Sequence, residues 1–337
     1  MLSNKKRKNT YLAAGFANPE LSESIAAELS TQLDPVAQKV FPNTELYTRF
    51  EDSVRGKHVF LLQSHVSGSE YSVNDAIMQQ CLMADAARSS SAKTITAVAP
   101  NFGYGRQDRK SKGREPIAVR AVINMLAAAG VSRFVTVDMH SPQSQAIFDG
   151  PFDHLTAQPL LREAVKAHIE AVHQAGCDVL VVAPDAGASK LADIHRRKLG
   201  AGLLHMAKSR DKQDSSKITR EDVDYPEVEG KICVVFDDMI DTAGTLTSAA
   251  EELKRSGASA VYAAATHGIF SGPALERLEQ SDIDCLFVSD THDQQDTSVV
   301  LGDHLQVVST ARMIAQAICE IRKHGSVSNI FDDQNHM

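Results

Sequence analysis

Val234-Val235-Phe236-Asp237-Asp238-Met239-Ile240-Asp241-Thr242-Ala243-Gly244-Thr245-Leu246 carries more structural information than any other segment of the chain. An apolar run leads into two adjacent acids and then a turn of small and hydroxylated residues. A helix is predicted from near Thr245. A β-branched strand that feeds a turn and then a helix is the repeating unit of a parallel sheet. The helix start presents N–H groups without intrahelical partners at the positive end of its dipole. Thr242, Thr245 and Thr247 add hydroxyls, and small Ala243 and Gly244 let a phosphate approach the backbone. Asp237 and Asp238 stand at the strand's carboxyl end, where open α/β sheets seat ligands, and can accept hydrogen bonds from ribose hydroxyls. The string points to a sugar phosphate. An acidic turn with a threonine cap would explain one Asp and one Thr, but not all thirteen residues together.

Working outward, short apolar runs read as further buried strands: Val59–Leu62, Ile95–Ala99, Phe134–Val137, Val179–Ala183, Val261–Ala265 and Leu286–Val288. Helical patterns alternate with them at Ala76–Ser89, Pro116–Ala129, Ala157–Gln174, Ser189–Leu199, Thr245–Ser256 and Ser309–Lys323. The predicted class is α/β, with mostly parallel sheets flanked by helices. Val137-Asp138-Met139-His140 in the first half resembles Phe236-Asp237-Asp238-Met239 in the second, which suggests two similar domains, 1–155 and 156–337. Two polar stretches, Gln63–Ser72 and Lys208–Glu229, read as mobile, the second as a lid or a surface insertion.

The 337 residues suffice for two domains with separate cores. There is no Trp and only 5% aromatic content, so those cores are built from Ala, Val, Ile and Leu. A formal net charge of −8 argues against nucleic acid as a partner but leaves a small phosphate ligand open. Five widely spaced cysteines without a C-x-x-C pair read as buried thiols in a reducing cytoplasm. No apolar run approaches a membrane span, and no apolar region follows Lys5-Lys6-Arg7-Lys8 as it would in a signal peptide.

Asn101 to Lys110 (Asn-Phe-Gly-Tyr-Gly-Arg-Gln-Asp-Arg-Lys) follows a strand and opens a basic loop, in which cations can meet a polyphosphate and Gln107 a base edge. The opening string resembles the phosphoribosyl pyrophosphate loop of the type I phosphoribosyltransferase superfamily. Asn101–Lys110 more narrowly resembles the ATP-binding segment of ribose-phosphate diphosphokinases. Further matching segments occur in the same order: Val54–Lys57, Val73–Asp75, Asp138–Ser141, Ser144–Asp149, Pro184–Gly187, Thr266–Pro273 and Gly325–Ser328. The resemblance runs from about Ala14 to Phe331 and implies two phosphoribosyltransferase-like domains. It implies that Phe41, Asn43, Glu45, Arg106, Gln107 and Asp108 contact ATP. Asp237, Asp238 and Asp241-Thr242-Ala243-Gly244-Thr245 would bind ribose 5-phosphate. Asp185-Ala186-Gly187-Ala188-Ser189-Lys190 would face the pyrophosphate, His140 and Asp185 would hold Mg2+, and Lys208 and Arg210 would be the catalytic pair. The expected substrates are ATP and ribose 5-phosphate, with no nucleic acid and no membrane. The expected assembly is a homo-oligomer of dimers forming a hexamer, in the cytoplasm.

The chain departs from the family pattern in several places. Asn43 stands for the usual Asp and Thr44 for Gly, so nucleotide contact is expected to differ. Ala188-Ser189 stands for Gly-Ala, which would strain the pyrophosphate loop if that position needs positive φ. Gly113 stands for a serine of the basic regulatory loop. On the residues alone two other readings stay open: a phosphoribosyltransferase, and a non-catalytic regulatory paralogue of the same fold.

Overall fold

The computed structural model describes residues 7–174, 176–206 and 225–331. The chain forms two compact units. Among the described residues, the first reaches Thr156 and takes back Thr291–Asp293 and 309–331; the second holds Ala157–Asp290 and Gln294–Val308.

In the first unit the elements are β1 (Thr10–Ala14), α1 (Pro19–Glu28), β2 (Val36–Val40), β3 (Leu46–Phe50), β4 (His58–Leu62), α2 (Val73–Ser89), β5 (Thr94–Ala99), α3 (Ala118–Ala129), β6 (Arg133–Val137) and β7 (Phe152–Leu155). Five of the strands form a parallel sheet in the order β1-β4-β5-β6-β7, while β2 and β3 pair antiparallel as a separate ribbon. Val59, Phe60, Leu61 and Leu62 are each no more than 1% exposed, so both faces of β4 are covered. That is why the strand reads as an unbroken apolar run.

The second unit contains α4 (Gln158–Val172), β8 (Val179–Ala183), α5 (Ser189–Leu199), β9 (Gly202–His205), β10 (Ile232–Ile240), α6 (Gly244–Arg255), β11 (Ala260–Gly268), α7 (Ala274–Glu279), β12 (Cys285–Ser289), α8 (Gln295–Leu301) and β13 (Leu305–Val308). Its sheet is also parallel, in the order β13-β12-β11-β10-β8-β9. Alternate residues of β10 serve opposite cores: Cys233 and Val235 pack in one apolar cluster, Ile232, Val234 and Phe236 in the other.

Both sheets place successive strands side by side, β1-β4-β5-β6-β7 and β8-β10-β11-β12-β13, with β9 added beyond β8. The expected α/β class with two similar units holds. The motif match that suggested it does not, because β6 is fourth in its series and β10 second in its own. By position the counterpart of β10 is β4, and the counterpart of the phosphate turn is the loop at 63–72.

The first half of that loop is not the open stretch its polarity suggested, while residues 67–70 are exposed as expected. Gln63, Ser64, His65 and Val66 are 1–2% exposed. Their polar groups are paired inside: Gln63 accepts from the Ala17 N–H at 3.2 Å and donates to the Ala76 carbonyl at 3.1 Å, and the Ser64 hydroxyl donates to the Thr291 carbonyl at 2.9 Å. Hydrogen bonding, which hydropathy does not register, makes the burial tolerable. The helix that follows caps itself, with Ser72 and Asp75 forming a reciprocal capping box. The Asp75 carboxylate thus holds the start of this helix, whereas no side chain caps the helix that follows β10.

The expected second domain of 156–337 also needs correction, since α9 (Ala311–Lys323) belongs to the first unit. Met313, Ile314, Ala317, Ile318 and Cys319 give it a buried apolar side, and the helix packs against α1. Arg322 Nε adds a 2.9 Å bond to Thr10 Oγ1. All five cysteines are free thiols, three buried and two half-buried. Among the described residues no helix is long and apolar enough to cross a membrane.

Candidate active site

Strand β10 carries Asp237 and Asp238 to its carboxyl end, half-buried. The Asp238 N–H donates to Asp237 Oδ1 at 2.8 Å. Burial first, then the adjacent Asp238 and more weakly Asp185, push the Asp237 carboxyl up to about 8. Three acids from two neighbouring strands therefore share one electrostatic environment.

The turn Asp241-Thr242-Ala243 leads into α6, which begins at Gly244, one residue before the expected start. No side chain caps this helix. Ala243 takes the left-handed conformation at φ 60°, which is costly for a residue with a Cβ. At Gly244 an added Cβ would lie 3.2 Å from Arg277 Nη1, so the guanidinium sits close over the first residue of the helix. The turn is thus a strained, uncapped helix start lined by Thr242 and Thr245, which suits an anion.

Beneath it lies a support that hydropathy did not reveal. Buried Gln158, at the start of α4, donates to the Asp237 carbonyl at 2.8 Å and to Thr266 Oγ1 at 3.1 Å. Its amide oxygen lies 3.0 Å from His195 Nε2, and the His195 ring stacks on Phe236 with centroids 3.7 Å apart. Burial holds the His195 imidazole down at about 3, so it stays neutral. Gln158 thereby joins the acidic strand end to α5, the helix that follows the pyrophosphate loop.

In that loop, Asp185 is half-buried, Ala186, Gly187 and Lys190 are exposed, and Ala188 and Ser189 are half-buried. The Ala188 N–H donates to Asp185 Oδ1 at 3.1 Å, and Ser189 Oγ lies 3.3 Å from His205 Nδ1. Ala188 sits at φ −78°, ψ −11°, so the position needs no glycine and the expected strain is absent. Lys208 and Arg210 lie outside the described residues. Of the stretch at 208–229 only 225–229 is among the described residues, and there Tyr225 and Val228 are buried, at 5% and 0% exposed.

The remaining candidates are in the first unit. Phe41, Asn43 and Glu45 are brought together at the β2–β3 turn, all exposed. The Phe41 N–H donates to the Glu45 carbonyl at 2.8 Å and the Glu45 N–H to Asn43 Oδ1 at 3.3 Å. Thr44 adopts φ 70°, the conformation a glycine would take freely. Lys39 Nζ lies 4.9 Å from the Phe41 ring centroid.

Arg106 and Gln107 are exposed and Asp108 half-buried on the loop after β5. His65 supports that loop from below: the Gly103 N–H donates to His65 Nδ1 at 3.1 Å while His65 Nε2 bonds Gln80 Oε1 at 2.9 Å. His140 is exposed at the end of β6, next to Gly105, whose added Cβ would lie 3.9 Å from His140 Cβ.

No group of three or more His, Cys, Asp or Glu side chains among the described residues makes a ready metal cage. The oxygen-rich environment around Asp185 still fits Mg2+, an ion commonly held by one or two carboxylates and the substrate's own phosphates.

Two parallel α/β units, one bearing an acidic strand end that leads into an uncapped helix start and the other a self-capped helix at the matching position, define the phosphoribosyltransferase-type architecture. Residues 10–130 match the N-terminal domain of ribose phosphate pyrophosphokinase, and residues 222–332 match the phosphoribosyl synthetase-associated domain. Ribose-phosphate pyrophosphokinase of Streptomyces coelicolor is 40% identical over 327 residues, covering 97% of each chain. That of Corynebacterium glutamicum is 40% identical over 331 residues, covering 98% of each. The crystal structure of phosphoribosylpyrophosphate synthetase from Mycobacterium smegmatis superposes with a TM-score of 0.82 at 38% identity, covering 94% of this chain and 100% of that one. The chain belongs to the ribose-phosphate pyrophosphokinase family.

Proposed function

We propose that this enzyme transfers the pyrophosphoryl group of ATP to the 1-hydroxyl of ribose 5-phosphate, giving phosphoribosyl pyrophosphate and AMP for nucleotide biosynthesis. The observation that carries the proposal is the strained, uncapped turn at Asp241–Thr245, directly after paired acids. Its amides cradle the 5-phosphate, and Asp237 and Asp238 accept hydrogen bonds from the ribose hydroxyls. The 1-hydroxyl attacks the β-phosphorus in line, the bond from that phosphorus to the α–β bridging oxygen breaks, and AMP leaves. The hydroxyl proton goes to solvent. Positioning and charge neutralisation are the protein's main tasks in such a transfer. Asp185, with His140 as the second expected ligand, would hold Mg2+, which supplies charge neutralisation on the phosphate oxygens.

Arg106, Gln107 and Asp108, with Phe41, Asn43 and Glu45, hold ATP in this proposal, and Asp185–Lys190 faces the pyrophosphate. Lys208 and Arg210 stabilise charge on the leaving group. A homo-oligomer of dimers forming a hexamer, in the cytoplasm, is part of the same proposal; sedimentation of the purified chain tests the assembly.

AMP release from ATP and ribose 5-phosphate with Mg2+ is the primary assay. An inert chain, or one that instead consumes phosphoribosyl pyrophosphate with a base, defeats the proposal. Lys208→Ala is expected to lower turnover by roughly 10²–10³ while the KM for ribose 5-phosphate stays close to wild type. Unchanged turnover would remove Lys208 from the chemistry.

A further inference from the structure

One sequence string, Thr266-His267-Gly268-Ile269-Phe270-Ser271-Gly272-Pro273, has no role in the mechanism above. In the structure it leaves the end of β11 and runs against the phosphate turn. Ile269 and Phe270 donate their N–H groups to the Ile240 carbonyl at 2.9 and 3.2 Å. The Ser271 N–H donates to the Asp241 carbonyl at 2.9 Å. Arg277 Nη1, on α7, donates to the Thr242 carbonyl at 2.9 Å. One segment therefore holds three successive carbonyls of the turn.

The segment is itself anchored below. Gln294 Nε2 donates to the Gly268 carbonyl at 2.8 Å and Ser289 Oγ to the Thr266 carbonyl at 2.5 Å. Phe270 at φ 52° and Gly272 at φ 58° bend it into place.

Arg277 is unusual for its charge. Its guanidinium lies against Gly244, the first residue of α6. A cation at a helix N-terminus opposes the dipole. The arrangement becomes favourable once a doubly charged phosphate occupies the turn. The hydrogen bond to Thr242 also holds in place the carbonyl just before strained Ala243.

We infer that Thr266–Arg277 is a positioning clamp for the phosphate turn, and that through Arg277 the site favours a dianionic 5-phosphate over an uncharged sugar. The inference rests on the reading of that turn as the ribose 5-phosphate site. Arg277 acts through the turn and is a positioning residue, not a catalytic one.

The test uses the full chain in the AMP-release assay, varying ribose 5-phosphate at saturating ATP and then the reverse. In Arg277→Gln the KM for ribose 5-phosphate is expected to rise about tenfold, the loss typical of a charge-assisted hydrogen bond. The KM for ATP and kcat are expected to stay within about threefold, since the lost interaction is ground-state binding. Arg277→Lys, which keeps the charge and loses the fork, is expected to fall between the two. An unchanged KM for ribose 5-phosphate in Arg277→Gln, or equal rises for both substrates, overturns the clamp. Should that variant fail to fold by circular dichroism, Arg277→Lys decides, and a wild-type KM there overturns it. A wild-type chain that forms no AMP defeats the parent reading, and the phosphate role of Arg277 falls with it.

Discussion

At the residue scale, His65 shows how one buried polar side chain fixes both a loop and a pH response. Its Nδ1 accepts from the Gly103 N–H, so that nitrogen carries no proton and Nε2 donates to Gln80. Burial lowers the imidazole from 6.5 to about 4. The unfolded chain therefore takes up this proton first as pH falls. The stability due to neutral His65 is complete above about 6.5 and is lost progressively toward 4. His195 and His58, lowered to about 3 and about 4, act in the same direction. Denaturant unfolding at pH 7 and pH 5 checks this. The His65→Met variant should lose about 2 kcal/mol less than wild type between those values, one histidine's share of the linkage. Equal losses would mean that His65 is not held neutral.

At the element scale, the β2–β3 ribbon carries a local conflict. Thr44 sits at φ 70° in the turn that presents Phe41, Asn43 and Glu45, and a β-branched residue pays there for a conformation glycine adopts freely. Thr44→Gly is expected to raise stability by up to about 1 kcal/mol, or a thermal midpoint by about 2–4 °C. A lowered midpoint would show the turn to be unstrained. This ribbon also marks where sequence reading failed. Val36–Val40 and Leu46–Phe50 have mostly exposed or half-buried side chains, so no apolar run announces them. The central strands were legible because both their faces are buried, and Val179–Ala183 and Ser189–Leu199 match residue for residue. The acidic strand end and the strand-to-helix turn after it were legible because their residues are contiguous. Gln158 and Arg277 were not. Each acts on a backbone carbonyl far along the chain, Asp237 in one case and Thr242 in the other, and no spacing in the sequence records such a partner. The departure at Ala188 looked consequential, but its φ of −78° makes it conformationally ordinary.

At the scale of the whole molecule, the first unit is discontinuous. Helix α9 is separated from the rest of that unit by most of the second, yet it supplies an apolar face for α1. Ending the chain before Ser309 should strip α1 of this partner helix and remove the buried side chains of α9 from the unit. Losing several buried aliphatic side chains at roughly 1.5–3 kcal/mol each exceeds the margin of an ordinary domain. The truncated protein is expected to aggregate, or to be cleaved first within 10–156 under limited proteolysis. Wild-type resistance in that region would show that α9 is dispensable to the unit.

This return of the C-terminus imposes an order on biosynthesis. The ribosome releases β1 to β7 early, but the helix that completes their unit emerges only after every strand of the second sheet. Independent domains tend to fold as they are made, from the amino end onward. Here the half translated first is finished last, and a nascent chain stalled anywhere before codon 309 presents an open hydrophobic seam to the cell's chaperones.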